Sequence, residues 1–183
     1  MFEFLESGIP GCVEIKPPVF PDKRGALIKT IHADSYKAAG LNHQFAEQYY
    51  SVSHKNVFRG LHFQVPPYDH DKLVYCLHGE ILDVVVDLRK GSPTFGQHKT
   101  FNLSSDLANQ VYVPSGLAHG FLALTDQAII VNNTTTVHAP NHDGGIHVSS
   151  VNESGLFDDA ILSERDTCLP DLESFESPFE FHE

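Results

Sequence analysis

The sequence predicts an antiparallel all-β fold, a sandwich or barrel of many short strands. Three observations carry that prediction. Turn signals recur at Pro17-Pro18, Asp22-Lys23-Arg24-Gly25, Pro66-Pro67, His78-Gly79, Lys90-Gly91-Ser92-Pro93, Pro114-Ser115-Gly116 and Asn141-His142-Asp143-Gly144-Gly145. They fall roughly every ten residues, the spacing of short strands joined by tight turns. The segments between them are rich in β-branched and aromatic residues. No glycine-rich phosphate loop stands between a strand and a helix, which disfavours a dinucleotide-binding fold.

In chain order, the strands are expected at Cys12–Ile15, Ala26–Ile31, Phe45–Ser53, Val57–Gln64, Leu73–Leu77, Ile81–Leu88, Lys99–Leu103, Gln110–Val113, His119–Leu124 and Ala128–Thr134. Asp34 to Ala39 reads as one short helix with Asp34 or Ser35 near its cap. A further helical turn is expected near Leu156–Leu162. Asp87 to Lys90 reads as a solvated strand end and turn. Side-chain parity adds a constraint. Glu47, Tyr49, Ser51 and Ser53 share one strand face. Gly60, His62 and Gln64 share another, with Arg59 on the opposite parity. If Arg59 and His62 serve one pocket, the strand must be irregular near Gly60, and a glycine is where a bulge is expected.

The 183 residues are expected to form a single domain, 1–183, with an acidic C-terminal segment over about 167–183. The formal net charge of −12 argues against nucleic acid and anionic membrane as partners, though not against one small anion. Much of the acidic excess lies between Glu153 and Glu183 and reads as a solvated segment draped over the domain. The longest apolar runs, such as Ile81 to Val86, are interrupted by charge and too short to span a bilayer. The N-terminus lacks a basic region followed by an apolar stretch, so no signal peptide is expected. Three cysteines, Cys12, Cys76 and Cys168, form no close pair, which fits a reducing cytoplasm better than a disulfide scaffold or zinc ribbon.

The chemistry concentrates in Phe58-Arg59-Gly60-Leu61-His62-Phe63-Gln64, followed by Lys72 and by Pro114-Ser115-Gly116-Leu117-Ala118-His119-Gly120. A base, two cations and a second histidine mounted on strands suit proton abstraction beside a carbonyl in an anionic substrate. Each residue also has a plainer reading. His62 and His119 can be satisfied structural histidines. Lys72 can be a solvated strand end, and Arg24 can decorate a turn. Asp83 sits within an apolar run and must be paired if buried, whatever its role.

With Arg59-Gly-Leu-His-Phe-Gln64 and Pro114-x-Gly-x-x-His-Gly120, the chain resembles the dTDP-4-dehydrorhamnose 3,5-epimerase family, nucleotide-sugar enzymes with a cupin-type jelly roll and a few short helices. The resemblance runs from about Phe20 to Pro170. It includes Phe20-Pro-Asp-Lys-Arg-Gly25, Asp83 to Lys90, Ser92-Pro-Thr-Phe-Gly96, His138-Ala-Pro140 and Leu162-Ser-Glu-Arg-Asp166. It implies His62 as the general base, oriented by Asp166. It implies Lys72 and His119 lining the sugar pocket, Asp83 supporting His119, and Arg24 and Arg59 on a diphosphate. It further implies a homodimer, a nucleotide-diphosphate sugar as substrate, and neither metal nor organic cofactor.

The departures are informative. The tyrosine that serves the family as acid is replaced by Asn132, whose amide cannot donate as a phenol does. The aromatic expected to stack on the base is His138. Glu47 and Tyr49 replace a glutamine and an asparagine near the nucleotide, Lys29 replaces a glutamate, and Asp143 keeps a carboxylate. These changes point to a different nucleotide, a different sugar, or epimerisation at one carbon only. Two rival readings stand beside the epimerase. One is a metal-dependent cupin, against which His62-Phe-Gln64 offers one histidine where His-x-His is needed. The other is a non-catalytic nucleotide-sugar binder, against which His62, Lys72 and Asp166 weigh.

Overall fold

The structure, a computed structural model, describes residues 1–152 and 154–182. Glu153 and Glu183, the ends of the acidic stretch, lie outside the described residues. The chain runs through β1 (Glu3–Glu6), β2 (Val13–Lys16), β3 (Val19–Asp22), β4 (Gly25–Ile28), α1 (Ala33–Ala38), β5 (Glu47–Ser53), β6 (Phe58–Gln64), β7 (Lys72–His78) and β8 (Glu80–Asp87). It continues through β9 (His98–Ser104), β10 (Gln110–Val113), β11 (Leu117–Ala123), β12 (Ala128–Thr134), β13 (Asp143–Gly145) and α2 (Glu164–Thr167).

Two antiparallel sheets form a jelly roll. One has the order β1-β2-β10-β7-β12-β5 and the other β13-β6-β11-β8-β9, with β3 and β4 forming a separate hairpin. Alternation places Val74, Cys76, Val111 and Ile130 of the first sheet against Ile81, Val85, Phe101 and Phe121 of the second, all buried in one shared core. The outer face of the first sheet is capped by α1. Tyr36 is fully buried there and meets Phe2 and Phe4 edge-on, each with ring centroids 5.8 Å apart. Among the described residues no helix is long and apolar enough to cross a membrane.

The outer face of the second sheet carries Phe58, Leu61, Phe63, Val84 and Leu88, and the C-terminal segment covers it. That segment is draped, as expected, but it is anchored rather than solvated. Phe157 and Phe179 are buried in this layer, and Phe179 meets Phe63 edge-on at 5.5 Å. Lys90 N donates to Phe179 O at 2.9 Å, and Phe181 N donates to Lys90 O at 2.9 Å. The acidic residues alternate with aromatic anchors, so charge faces water while the rings seal the sheet.

Several local expectations change. Asp87 and Arg89 are buried rather than solvated. Asp87 accepts from Arg89 Nε at 2.9 Å, Ser92 Oγ at 2.6 Å and Thr94 Oγ1 at 2.7 Å, which satisfies a charge that would otherwise be costly inside the fold. Leu156–Leu162 is turn rather than helix. Ile161 bridges to Val57 there, and Ser163 then caps α2 by accepting from Asp166 N at 3.1 Å. Asp143-Gly144-Gly145 is a strand rather than a turn and pairs with Gln64, Phe63 and His62. Its glycines permit the approach, since a Cβ on Gly145 would come within 2.5 Å of Leu61 O.

Candidate active site

The irregularity expected near Gly60 is present. Along β11, His119 faces His62 and Phe121 faces Arg59, so β6 holds one extra residue between these pairs. Gly60 has φ +135°, and a Cβ there would sit 2.5 Å from Gly120 Cα. The bulge brings Arg59 and His62, of opposite parity, to one cavity of about 600 Å³. His119, Asn132, Lys72 and Asp166 line the same space. A contiguous cavity of about 330 Å³ shares His62, Lys72, Tyr49 and Arg165, and extends to Glu47, His138 and Asp143.

His62 and Asp166 form a dyad across 2.6 Å, between Nε2 and Oδ1. A carboxylate only accepts, so Nε2 carries the hydrogen, and in the neutral imidazole Nδ1 is the nitrogen with the lone pair. Burial alone would raise the Asp166 carboxyl. The hydrogen bond and charge of His62, with the Ser163 hydroxyl, outweigh it and hold the acid below the usual carboxylate range. The His62 side chain is 29 % exposed, enough to meet a ligand, while Asp166 is 5 % exposed beneath it.

A second dyad lies alongside. His119 Nε2 sits 2.7 Å from Asp83 Oδ2, and both residues are buried. Asp83 Oδ1 has no partner among the described residues. Lys72 is buried on the opposing sheet, and its Nζ donates to His62 O at 3.1 Å. Burial brings its ammonium down to about 8, against the pull of Asp143 and Asp83. Arg59 donates from Nε to Ser53 Oγ at 3.1 Å and from Nη2 to Val52 O at 3.4 Å, and it lines the larger cavity.

At the other end, Glu47 Oε2 accepts from His138 N at 2.6 Å and holds that loop. Asp143 pairs with Arg165 at 2.9 Å. Tyr49 faces Asn132 directly across the β5–β12 pair, and both side chains reach the cavity. Arg24 does not join them within this chain. It lies at the tip of the β3–β4 hairpin, 84 % exposed, paired with Asp22 at 2.5 Å.

Sequence reasoning missed three residues of the cleft. Arg165 lies beside Asp166 within Leu162-Ser-Glu-Arg-Asp166, a signal that was legible. His70 lines the smaller cavity and holds Thr136 Oγ1 at 3.0 Å. Burial first, then Lys72, pushes its imidazole down to about 3, so it stays neutral. Ser51 places a buried Oγ, without a partner among the described residues, at the larger cavity. Among the described residues, no three His, Cys, Asp or Glu side chains converge as metal ligands.

Fold and site define a class: a jelly roll whose cleft sets a histidine–carboxylate pair on one sheet against a lysine on the other. Comparison with known proteins narrows it. The family description dTDP-4-dehydrorhamnose 3,5-epimerase matches residues 6–174. The enzyme of that name from Shigella flexneri is 38 % identical over 165 residues, 88 % of this chain and 91 % of its own length. The crystal structure of a dTDP-6-deoxy-D-glucose-3,5-epimerase from Legionella pneumophila, in complex with dTDP-4-keto-L-rhamnose, covers both chains fully with a TM-score of 0.92 and 31 % identity. A 3'-monoepimerase from Streptomyces bikiniensis, in complex with dTDP-quinovose, has a TM-score of 0.85 and 32 % identity, covering 92 % of this chain and 87 % of its own. The chain belongs to the dTDP-4-dehydrorhamnose 3,5-epimerase family.

Proposed function

We propose that this protein is a cofactor-independent isomerase, epimerising carbon 3, carbon 5 or both in a nucleotide-diphosphate 4-keto-6-deoxysugar during deoxysugar and surface polysaccharide biosynthesis. The observation that carries the reading is the His62–Asp166 dyad opening onto the cleft that Lys72 enters from the opposite sheet. The substrate ketone acidifies the hydrogens on carbons 3 and 5. His62 Nδ1 removes one of them, and Asp166 stabilises the imidazolium that forms. Negative charge moves to the ketone oxygen, where the Lys72 ammonium stabilises the enolate, with His119 lining the same pocket. Return of a proton from the other face inverts the carbon. Arg59 binds the diphosphate, while Glu47, His138 and Asp143 shape the nucleotide end.

The same reading places Arg24 in a homodimer. The β3–β4 hairpin exposes Val19, Phe20, Leu27 and Ile28, and the edge strand β5 exposes Tyr50 and Val52. A hairpin laid along a second subunit's β5 edge would cover both apolar sets and carry Arg24 toward that subunit's diphosphate. The free thiols Cys12, Cys76 and Cys168 suit a cytoplasmic enzyme.

The test is deuterium exchange at carbons 3 and 5, followed by NMR in D₂O across a panel of 4-keto nucleotide sugars. Wild-type protein is expected to exchange at one or both carbons and to accumulate the epimer. Absence of exchange with every member of the panel would sink the assignment. Sedimentation of the purified protein checks the dimer.

A further inference from the structure

Inversion needs a proton donor on the face opposite the base, and Asn132 cannot be that donor because its amide has no readily transferable proton. We propose that Tyr49 is the general acid of this epimerase, delivering the proton that inverts the carbon; this rests on the epimerase reading above. His62 rises from β6 in one sheet, and Tyr49 descends from β5 in the other. Both line both cavities, so a sugar held between them meets the base on one face and the phenol on the other.

Tyr49 is also the direct cross-strand neighbour of Asn132. Side chains so paired stand roughly 5 Å apart at Cβ, within the reach of a tyrosine. A phenol on strand β5 thus serves the region that a tyrosine at position 132 would serve from strand β12. Of the six tyrosines, Tyr49 alone lines this cleft among the described residues. Tyr36 and Tyr112 pack under α1 on the far side of the first sheet. Tyr50 and Tyr75 line a groove on that sheet's outer face with Val131, and Tyr68 stacks near His142.

Four other polar groups of the cleft are occupied or unsuited. Glu47 is held as an acceptor by His138 N. Lys72 spends a hydrogen on His62 O and belongs to the enolate. His70 is neutral and bound to Thr136 and Gln64. Ser51 carries only an alcohol, a far weaker acid than a phenol. Burial, then the Glu47 and Asp143 charges, keep the Tyr49 phenol protonated, as a donor must be. In the step itself, the enolate carbon takes the phenolic hydrogen, the carbonyl re-forms, and the phenolate is reprotonated from solvent.

The experiment compares full-length wild type with Tyr49→Phe in D₂O, reading deuterium uptake and epimer formation by NMR in the same tube. His62 can hand a deuteron back to the face it left, so uptake in Tyr49→Phe is expected to remain at no less than about a tenth of wild type. Epimer formation is expected to fall at least ~100-fold. In the double variant Tyr49→Phe/Asn132→Tyr, the phenol moves one strand over, and inversion is expected to recover about tenfold or more over the single variant. The substitution removes one hydroxyl, and an unchanged melting temperature confirms that the fold is intact. Epimer formation by Tyr49→Phe within about threefold of wild type overturns the assignment. Loss of uptake and epimer in equal measure also overturns it, marking Tyr49 as a binding group. Wild type that inverts, beside a variant that inverts equally, removes this assignment alone; wild type that exchanges nothing removes the epimerase reading as well.

Discussion

The two histidine–carboxylate pairs make an instructive contrast. His62–Asp166 and His119–Asp83 lie side by side on paired strands, with almost equal Nε2–O distances of 2.6 and 2.7 Å. Their surroundings differ. His62 is 29 % exposed and stands over a carboxylate held by a helix cap, whereas the His119 side chain is 5 % exposed over a wholly buried aspartate. Identical hydrogen-bond geometry therefore supports two tasks. The accessible pair can exchange a proton with a ligand. The enclosed pair lines the cavity wall and stiffens it.

The sharpest way to break this contrast is to remove each imidazole. His62→Ala is expected to lower deuterium exchange about 10³- to 10⁴-fold, the range of a lost general base. His119→Ala is expected to cost about 10- to 100-fold, less than a lost oxyanion donor, because Lys72 still holds the enolate oxygen. Equal losses in exchange assays would show that the two histidines share the base role.

The carboxylates come next. Asp166→Asn is expected to lower kcat about 100-fold with little change in stability, because the imidazole loses its fixed tautomer. Asp83→Asn is expected to act mainly on the fold, costing about 1–3 kcal/mol in urea unfolding as a buried charge-assisted hydrogen bond is lost. The contrast fails if Asp83→Asn leaves stability intact and abolishes turnover.

The smallest effect is a pH dependence. The Lys72 ammonium titrates at about 8, below its ordinary value, so kcat/KM is expected to fall as pH rises through about 8. Any residual activity of Lys72→Arg should lack that limb, since a guanidinium keeps its charge. Between about 8 and about 10.4 the unfolded chain binds the extra proton at this residue, so its contribution to stability rises with pH over that window. A pH–rate profile that is flat to pH 10 would remove Lys72 from the enolate.

Periodicity and glycine chemistry made the strands legible, and even the bulge at Gly60 followed from the parity of Arg59 and His62. Features that depend on distant partners were hidden. Asp143-Gly144-Gly145 carries turn residues, and only the closeness of Leu61 and Phe63 makes it a strand. The tail looked solvated because Phe175 and Phe179 stand among glutamates, and nothing local says which sheet face they cover. The Asp166 contact could be drawn only from the family resemblance, because it spans 104 positions of chain. The place of Tyr49 beside Asn132 needed the β5–β12 register, which neither strand specifies alone.

That span of 104 positions sets an order of assembly. During synthesis every strand through β13 is made before Asp166, so the strands exist in the chain before His62 can gain its carboxylate. Competence for chemistry is then acquired late, when the last stretch of polypeptide docks over Phe58 and Phe63. Native-state hydrogen exchange should read α2 opening at lower free energy than β6. A newly made chain would thus have its shape before its reactivity.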